Sequence, residues 1–473
     1  MNSPSDVVGM FPGQGAYRQA VFARCWHTGV PEVREVYEAV DSAAQRVLGR
    51  AVTPVVFASE PPTASELLAA DPDALQLAIF AQSVSSYRLL RRNGAELSCL
   101  LGHSMGEIAA LVSAGAFSLD DGAEILCHRI AALRANDTSG GRMLAIEADA
   151  ERVRSVLALV GNSDTVLSVE NGPGQVVVSG PPEGITAVGT IAGALGLTSV
   201  RLKAPHPFHN PLLAEAARAF EDAIASYEQC RMSVPVYSPI LGRRYRDGDR
   251  LPALLARHLV LPVDFGSALA SLLRDGERTF VEFGPGATLG RITERCAPVA
   301  TVLDAFHGLD EQAAALEVAA YLDSVPQPPE APAAQTAPLG AVPEQRSTRE
   351  RRPEQPQAEP VSTEPNAGAE QPAVEPEVEA AEPGPAGAEL FEELRSFYAQ
   401  ALEYPEEVLT EDAVFERDLG VDSVQQTELL TSLRAKYRLE DTATVRPGEY
   451  DTLGKVAEYV RRNRAGLVAR AQA

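Results

Sequence analysis

The sequence is short of positive charge. Its 473 residues include 41 Lys and Arg residues against 65 Asp and Glu residues, which gives a formal net charge of −24 at pH 7. Proteins that bind nucleic acids need clustered Lys and Arg to neutralise phosphates. We therefore expect no nucleic-acid partner, and the acidic balance suits a soluble protein or one whose partners have basic faces.

Cysteine and long hydrophobic runs are also scarce. No two cysteines form a Cys-x-x-Cys pair, which argues against a disulfide framework, a zinc site or another metal site and suits a reducing compartment. No apolar run approaches the roughly 18 residues that cross a membrane. The N-terminus lacks the basic region and apolar core of a signal peptide. We therefore expect a cytoplasmic protein with no membrane partner. The five cysteines are Cys25, Cys99, Cys127, Cys230 and Cys296.

A proline-rich segment divides the chain. Residues 326–387 are rich in Pro, Glu and Ala and contain no aromatic residue. Such a segment cannot bury enough apolar surface to offset the entropy lost on ordering. We predict a disordered linker there, between a large domain over residues 1–325 and a small domain over residues 388–468.

Strand-like and helix-like patterns alternate through the large domain. The runs DVVGMF, LSCLLGH and RTFVEFG are typical of buried strands, and GEIAALVSAGA is typical of a helix. This alternation predicts an α/β domain with a mostly parallel sheet. Residues 138–204 differ, because their strands and helices follow an order that predicts a small ferredoxin-like insertion. Residues 388–468 carry apolar residues at helical spacing, which predicts a compact helical domain.

A serine lies between two glycines at a predicted strand-to-helix turn. In GHSMG, Ser104 follows the apolar run LSCLL and precedes the helix-like run GEIAAL. A G-x-S-x-G motif in this context predicts a nucleophile elbow, a sharp turn that exposes the serine hydroxyl. The backbone N–H of Met105 would then face a developing oxyanion. The same position also suits a serine that only caps the helix.

A serine nucleophile needs a base, and the chain has seven histidines. Two of them, His206 and His209, lie in KAPHPFHNPLL, a loop-like stretch between a predicted strand and a predicted helix. Loop placement favours a functional role. Spacing alone does not distinguish the two histidines, so both remain candidates for the base.

Several separated motifs together resemble one family, the malonyl-CoA:acyl-carrier-protein acyltransferases, which include the acyltransferase domains of polyketide synthases. The resemblance covers roughly residues 5–310 and implies an α/β-hydrolase-like parallel-sheet core with a small ferredoxin-like subdomain. An arginine 25 residues after the serine falls where the family has one. The motifs, in the family's order, are FPGQG, GHSMGE, NGPGQVVVSG, HPFHNPLL and FVEFGPG.

The resemblance implies a role for individual residues. Ser104 matches the nucleophile that becomes acylated, and His209 matches its general base. Gln14 and the N–H of Met105 match the oxyanion hole. Arg129 matches the arginine that pairs with the free carboxylate of a malonyl-type group, a task that suits the two-pronged guanidinium.

The resemblance also bears on the substrate pocket, which His206, Phe208 and Asn171 are expected to line. HPFH is similar to the HAFH of malonyl-specific relatives and less so to the YASH of methylmalonyl-specific ones. Phe208 is expected to crowd a branched methyl group, and Met105 replaces a glutamine often seen with methylmalonyl. Because one methyl group changes binding by only ~1–3 kcal/mol, malonyl-CoA is expected, with methylmalonyl-CoA or another dicarboxylic acyl-CoA left open.

The chain departs from the family pattern at two places. In the family a backbone carbonyl orients the base, and the matching segment here is RHLVLPVDF. His258 stands in it where relatives usually carry Asn or Gln. The second departure is GQGAY, where many relatives read GQGSQ, and we assign it no consequence.

A second serine motif follows the linker. FERDLGVDSVQQTELL places Asp422–Ser423 at the predicted start of a helix, where a serine can also be a simple cap. The stretch resembles an acyl carrier protein, a four-helix domain. The resemblance implies that Ser423 carries covalent 4′-phosphopantetheine, added by a phosphopantetheinyl transferase. A helix N-terminus suits attachment of a phosphorylated group.

Together the two resemblances imply transfer of a malonyl-type group from CoA, through an ester on Ser104, to the thiol of an acyl carrier protein. The acceptor is the chain's own carrier domain, a partner's carrier, or both, and other synthase subunits are expected partners in polyketide (antibiotic) or fatty-acid biosynthesis. The alternative is an acyl-thioester hydrolase that uses the same Ser–His dyad with water. An α/β-hydrolase esterase needs an acidic residue between the serine and the histidine in chain order, and none stands out. A carrier scaffold with an inactive transferase is disfavoured, because every expected catalytic residue is present.

Overall fold

The computed structural model describes residues 6–305, 310–324 and 385–402 as continuous stretches. The other described residues are 409–411, 413, 415, 429, 433, 450 and 452–461. The chain divides into two compact units, residues 1–335 and 336–473, and each is described by itself. Most of the predicted linker, from residue 326 to residue 384, and Ser423 lie outside the described residues.

The strands of the first unit form two sheets. In chain order they are β1 (Val7–Phe11), β2 (Cys99–Gly102), β3 (Arg142–Ile146), β4 (Val166–Gly172), β5 (Gln175–Gly180), β6 (Ser199–Leu202), β7 (Val236–Ser238), β8 (Arg243–Arg244), β9 (Val263–Asp264), β10 (Thr279–Glu282) and β11 (Thr301–Asp304).

Helices connect these strands, and a 3-10 helix spans Pro211–Leu213. In chain order the α-helices are α1 (Ala23–Thr28), α2 (Pro31–Leu48), α3 (Thr53–Val56), α4 (Ala64–Ala70), α5 (Pro72–Arg92), α6 (Gly106–Ser113), α7 (Leu119–Asn136), α8 (Ala150–Val160), α9 (Pro182–Ala194), α10 (Ala214–Ile224), α11 (Leu251–Arg257), α12 (Phe265–Arg274), α13 (Thr288–Cys296), α14 (Glu311–Ser324) and, in the second unit, α15 (Pro385–Leu402).

The larger sheet is mostly parallel, with the strand order β11-β10-β1-β2-β7-β8. Only β8 runs antiparallel to its neighbour in this described sheet. Every residue of β1 and β2 is buried, as expected for strands inside a parallel sheet. Phe11 pairs with Gly102, so the carboxyl ends of β1 and β2 lie side by side, at the edge where ligands bind in open α/β sheets.

Two long helices beside this sheet begin at capped positions. The Asp71 side chain accepts a hydrogen bond from the Ala74 N–H at the start of α5. The Ser118 hydroxyl accepts one from the Asp121 N–H at the start of α7. Such caps satisfy backbone donors that a helix leaves open at its N-terminus, and they fix where each helix begins.

The smaller sheet confirms the predicted insertion. The run β3-α8-β4-β5-α9-β6 has the ferredoxin-like order, and β3, β4, β5 and β6 pair in antiparallel fashion. Its helices and strands enclose a core of their own that includes Leu144, Val178 and Ile185. A fifth strand, β9, comes from the chain after the insertion and pairs in parallel with β4. Because β9 has only two residues, no alternation pattern in the sequence predicted it.

The second unit has a separate apolar core. Residues 453–461 are helical, as is α15, and both lie where the sequence predicted helices. The rest of the predicted four-helix form falls on residues outside the described ones. The buried core members are Leu394, Tyr398, Ala399, Leu409, Phe415, Leu429, Leu433, Leu453, Val456, Tyr459 and Val460.

Two features are absent from the part of the chain that the structure describes. No helix there combines the length and the apolar character needed to cross a membrane. In the same part of the chain, no group of three or more His, Cys, Asp or Glu side chains is arranged to hold a metal ion.

Candidate active site

The serine elbow lies between β2 and α6. Ser104 has a φ of 54°, a left-handed conformation that is unfavourable for a residue with a side chain. The flanking glycines have a steric reason. A Cβ at Gly102 would collide with the backbone of Glu107, and a Cβ at Gly106 would collide with the carbonyl oxygen of Phe11. The turn is therefore sharp, and it places the Ser104 hydroxyl beside the N-terminus of α6.

His209 lies next to this hydroxyl, although it is 105 positions away in the sequence. The Ser104 Oγ is 2.7 Å from His209 Nε2, and the Nδ1–H of His209 donates to the carbonyl oxygen of Leu261 at 2.9 Å. That second bond fixes the tautomer and leaves Nε2 free to accept the serine proton. The contact has the geometry of a nucleophile and its general base. The hydroxyl points to the imidazole and does not cap α6.

Burial sets the protonation state of His209. It lowers the pKa of His209 to about 3, so the ring is neutral and able to accept a proton at neutral pH. The backbone carbonyls of Leu261 and His258 act in the opposite direction and favour the protonated ring. They would therefore stabilise the imidazolium that forms when Ser104 gives up its proton.

The FPGQG loop approaches the elbow from the end of β1. A Cβ at Gly13 would lie 2.7 Å from the His103 carbonyl oxygen, so only a glycine allows the loop to come this close. Within the described residues, the backbone N–H groups of Gln14 and Met105 make no hydrogen bond, and Gln14 Nε2 is buried without a partner. Free donors beside a nucleophile are what an oxyanion requires.

Arg129, on α7, is a buried cation held by uncharged groups. Its side chain donates from Nη1 to Gln76 Oε1 at 2.6 Å, and its guanidinium carbon lies 5.1 Å from the centre of the Phe208 ring. Burial lowers the pKa of Arg129 to about 10, so the group stays charged at neutral pH. No carboxylate among the described residues forms an ion pair with it. A buried positive charge without a counter-ion favours an anionic ligand.

The two histidines of HPFH have different surroundings. His206 Nδ1 lies 2.6 Å from Asp137 Oδ2, and its ring packs edge-on against Phe208 at 5.6 Å between centres. His209 alone contacts Ser104. The two histidines that sequence spacing left open therefore differ in their contact with Ser104, and Phe208 lies against both His206 and the guanidinium of Arg129.

Asn171 lies on another side of the elbow. Its Oδ1 is 2.9 Å from His103 Nε2, and its Nδ2 donates to Gln175 Oε1 at 3.3 Å. The amide is therefore used to hold the ring of the residue that precedes Ser104.

Two residues that the sequence patterns did not single out complete the arrangement. Gln76, which is 2% exposed, accepts the hydrogen bond from Arg129. The only feature of the sequence that could have pointed to it is a polar residue inside the apolar helical run ALQLAIFA. Asn210 follows His209, and its Nδ2 donates to the carbonyl oxygens of Asp164 and Ser179 at 3.0 and 3.1 Å. These bonds connect the residue after His209 to the small subdomain.

Comparison with known proteins gives two family matches. Residues 9–306 match the acyl transferase domain family, and residues 392–460 match the phosphopantetheine attachment site family.

Among curated proteins, the chain is similar to the spectinabilin polyketide synthase system protein NorB of Streptomyces orinoci. The identity is 32% over 291 residues, which cover 61% of this chain and 13% of that protein. Erythronolide synthase EryA3 of Saccharopolyspora erythraea is 31% identical over 305 residues, which cover 64% of this chain and 9% of that protein. The chain thus spans only a small part of the length of these relatives.

Solved structures confirm the fold class. The malonyl-CoA:acyl carrier protein transacylase of Xanthomonas oryzae pv. oryzae superposes with a TM-score of 0.60 at 27% identity, over 67% of this chain and 99% of that one. The acyltransferase domain from the second module of the salinomycin polyketide synthase gives a TM-score of 0.58 at 26% identity, over 67% of this chain and 72% of that one.

Proposed function

The chain belongs to the acyl transferase domain family and carries a phosphopantetheine attachment domain, and from this premise we propose that it moves a malonyl-type group from CoA, through an ester on Ser104, to an acyl carrier protein. One observation carries the proposal. The Ser104–His209 pair at 2.7 Å lies in the same unit as Arg129, whose charge has no counter-ion among the described residues.

The first half-reaction transfers the acyl group to the enzyme. His209 Nε2 takes the proton of Ser104 while Oγ attacks the thioester carbonyl carbon of the acyl-CoA. The backbone N–H groups of Gln14 and Met105 hold the oxyanion of the tetrahedral intermediate. The C–S bond then breaks, His209 gives its proton to the departing CoA sulfur, and an acyl ester remains on Ser104.

The second half-reaction regenerates the enzyme. The attachment domain is the site of covalent 4′-phosphopantetheine, whose thiol serves as acyl acceptor. We assign its attachment to Ser423, which lies outside the described residues. His209 removes the proton of the acceptor thiol while its sulfur attacks the ester carbonyl carbon and forms a new C–S bond. The C–Oγ bond then breaks, and His209 returns the proton to Ser104 Oγ. Because CoA leaves before the acceptor reacts, the kinetics are expected to be ping-pong.

Arg129 selects acyl groups that carry a free carboxylate. A malonyl group bound as the ester presents a free carboxylate, and a guanidinium can hold it through two parallel hydrogen bonds. Simple acyl groups such as acetyl lack that anion.

Phe208 limits the size of the acyl group. It is 6% exposed and lies against the guanidinium of Arg129, so it leaves little room for a branch. This favours malonyl-CoA over methylmalonyl-CoA.

The carrier domain favours transfer over hydrolysis. A thioester hydrolase would use the same dyad with water, yet this chain has a carrier domain joined to its acyltransferase domain. A tether of this kind raises the effective concentration of the acceptor. The polyketide synthase relatives support a place in polyketide or fatty-acid biosynthesis, with other synthase subunits as partners and a phosphopantetheinyl transferase to load the carrier.

Intact-mass spectrometry of the full chain, first treated with a phosphopantetheinyl transferase, tests this function. Offered malonyl-CoA, the chain is expected to gain one malonyl group on Ser104 and one on the carrier. Ser423→Ala should keep only the first, and Ser104→Ala should lose both. Acetyl-CoA should load far more slowly. Release of free malonate without carrier loading would instead identify a hydrolase.

A further inference from the structure

A buried polar bridge lies behind the dyad. Glu107 is in the first turn of α6 and is 0% exposed, while Tyr245 and His258 are 5% and 6% exposed. The Tyr245 hydroxyl donates to Glu107 Oε2 at 2.7 Å, and its oxygen lies 3.0 Å from His258 Nε2. The sequence motifs give no role to Glu107 or Tyr245, and His258 is a departure from the family pattern.

The three side chains form a hydrogen-bonded chain with Tyr245 in the middle. Burial raises the pKa of Glu107 to about 8 and lowers the pKa of His258 to about 3, so both groups are mostly uncharged at neutral pH. One hydroxyl can donate to one neighbour and accept from the other. Tyr245 therefore donates to Glu107 Oε2 and accepts from His258 Nε2–H, whereas Glu107 Oε1 is buried and makes no hydrogen bond within the described residues.

This bridge joins the two backbone segments that set the dyad geometry. Glu107 lies three positions after Ser104, in the helix that the elbow opens. His258 begins the loop after α11, and in that loop the Leu261 carbonyl accepts from His209 Nδ1 at 2.9 Å. The Leu259 carbonyl accepts from the Asn210 N–H at 3.2 Å. The loop that orients the base is thus fastened to the helix of the nucleophile.

We infer that Tyr245 and His258 are positioning residues, whose bridge to Glu107 holds the loop that orients His209 at the correct distance from Ser104. The inference rests on the proposed function, in which this dyad forms the acyl ester. Neither side chain contacts the reacting atoms. Their effect on the rate comes from geometry, because a misplacement of about 1 Å at a catalytic pair can cost on the order of 10²-fold in rate.

The test compares two buried tyrosines of the same hairpin in the full chain. Tyr245→Phe removes only the bridging hydroxyl. Tyr237→Phe is the matched control, because Tyr237 is also 5% exposed and its hydroxyl donates to the Gly242 carbonyl at 3.0 Å, away from the bridge. Two rates are measured on Ser104: sulfonylation by phenylmethylsulfonyl fluoride, and single-turnover acylation by malonyl-CoA.

Tyr245→Phe is expected to slow both reactions about tenfold at an unchanged KM for malonyl-CoA, while Tyr237→Phe stays within about twofold of the wild type. His258→Gln, whose amide N–H can still donate to the Tyr245 oxygen, should retain more activity than His258→Leu. The double variant Tyr245→Phe/His258→Leu should be no slower than the slower single variant, since one unit is broken in each case.

Equal rates for Tyr245→Phe and the wild type, or an equal loss in Tyr237→Phe, would overturn the inference. So would additive losses in the double variant. Thermal unfolding of each variant separates slow chemistry from unfolding, and His258→Gln keeps the test informative if His258→Leu does not fold. Sulfonylation needs the dyad but not a malonyl group. A wild-type chain that reacts with the sulfonyl fluoride but not with malonyl-CoA would therefore refute the proposed function and leave this inference standing.

Discussion

The two sides of the candidate site are built in different ways. The proposed nucleophile side, which comprises Ser104, His209 and the FPGQG loop, is held mainly by backbone. It depends on positive φ angles at Ser104 and His209, on close approaches at glycines and on the Leu261 carbonyl. The proposed cargo side comprises Arg129, Phe208 and His206 and is held by side chains, namely the Gln76 amide, the Phe208 ring and the Asp137 carboxylate.

The difference explains which parts of the site could be predicted from the sequence. Backbone geometry needs glycines at fixed spacing, so the nucleophile side leaves short motifs such as FPGQG and GHSMG. A side-chain contact produces no such motif in the sequence, because a single buried amide in an apolar helix follows no spacing rule. Gln76 and Asp137 were missed for this reason. Only a family resemblance distinguishes His209 from His206 as the predicted base, since both lie in one loop.

The fold was more predictable than the site. The parallel sheet and the ferredoxin-like insertion follow from hydrophobic periodicity, which is set by the backbone repeat itself. Strand β9 was not predicted, because two residues are too few to show an alternation of apolar and polar positions. It depends on a long-range pairing with β4, which no local pattern contains.

The largest expected effect is on the nucleophile side. His209→Ala removes the base but leaves Arg129 in place, so we expect acylation by malonyl-CoA to slow by a factor of about 10³, measured by quenched-flow mass spectrometry. His128→Ala is the control, because His128 is a half-buried histidine of α7 that packs against Tyr227, and it should react at the wild-type rate. A His209→Ala chain that acylates normally would mean that another group is the base.

The next effect should appear on the cargo side as a change of selectivity. Arg129→Ala removes the charge that would pair with the carboxylate, so loading from malonyl-CoA should fall about 10²-fold relative to loading from acetyl-CoA. The reaction of Ser104 with phenylmethylsulfonyl fluoride should stay close to the wild-type rate. Arg134→Ala, on the same helix with an exposed ion pair to Asp73, should change neither. A uniform loss with both acyl-CoAs would show that Arg129 serves the dyad and not the cargo.

A smaller effect should follow when Arg129 is given a counter-ion. Gln76→Glu is nearly isosteric and places a carboxylate where the amide oxygen lies 2.6 Å from Nη1. The new anion would compete with the malonyl carboxylate, and we expect the KM for malonyl-CoA to rise about tenfold with little change at the dyad. Gln82→Glu makes the same exchange on α5, where Gln82 donates to the Arg18 carbonyl. If both variants raise KM equally, the effect comes from burying a carboxylate in α5.

The smallest effect is expected at Asp137, where the chain passes from the large sheet domain into the small subdomain. Asp137 follows the last residue of α7. Its Oδ1 accepts from the Ser139 N–H at 3.0 Å, while its Oδ2 faces His206 Nδ1 at 2.6 Å. Asp137→Asn can keep the first bond but places an amide against the histidine. Since His206 packs on Phe208, the pocket wall should loosen, and we expect the preference for malonyl-CoA over methylmalonyl-CoA to fall about threefold.

Competition between the two acyl-CoAs on one sample measures that ratio directly. Asp149→Asn is the control, because Asp149 accepts from the Gly174 N–H within the small subdomain and touches neither HPFH nor α7. An unchanged ratio in Asp137→Asn, with an intact sulfonyl fluoride reaction, would mean that the wall is held by the backbone after all. The contrast between the two sides of the site would then be narrower, since only Arg129 and Gln76 would remain as parts fixed by side chains alone.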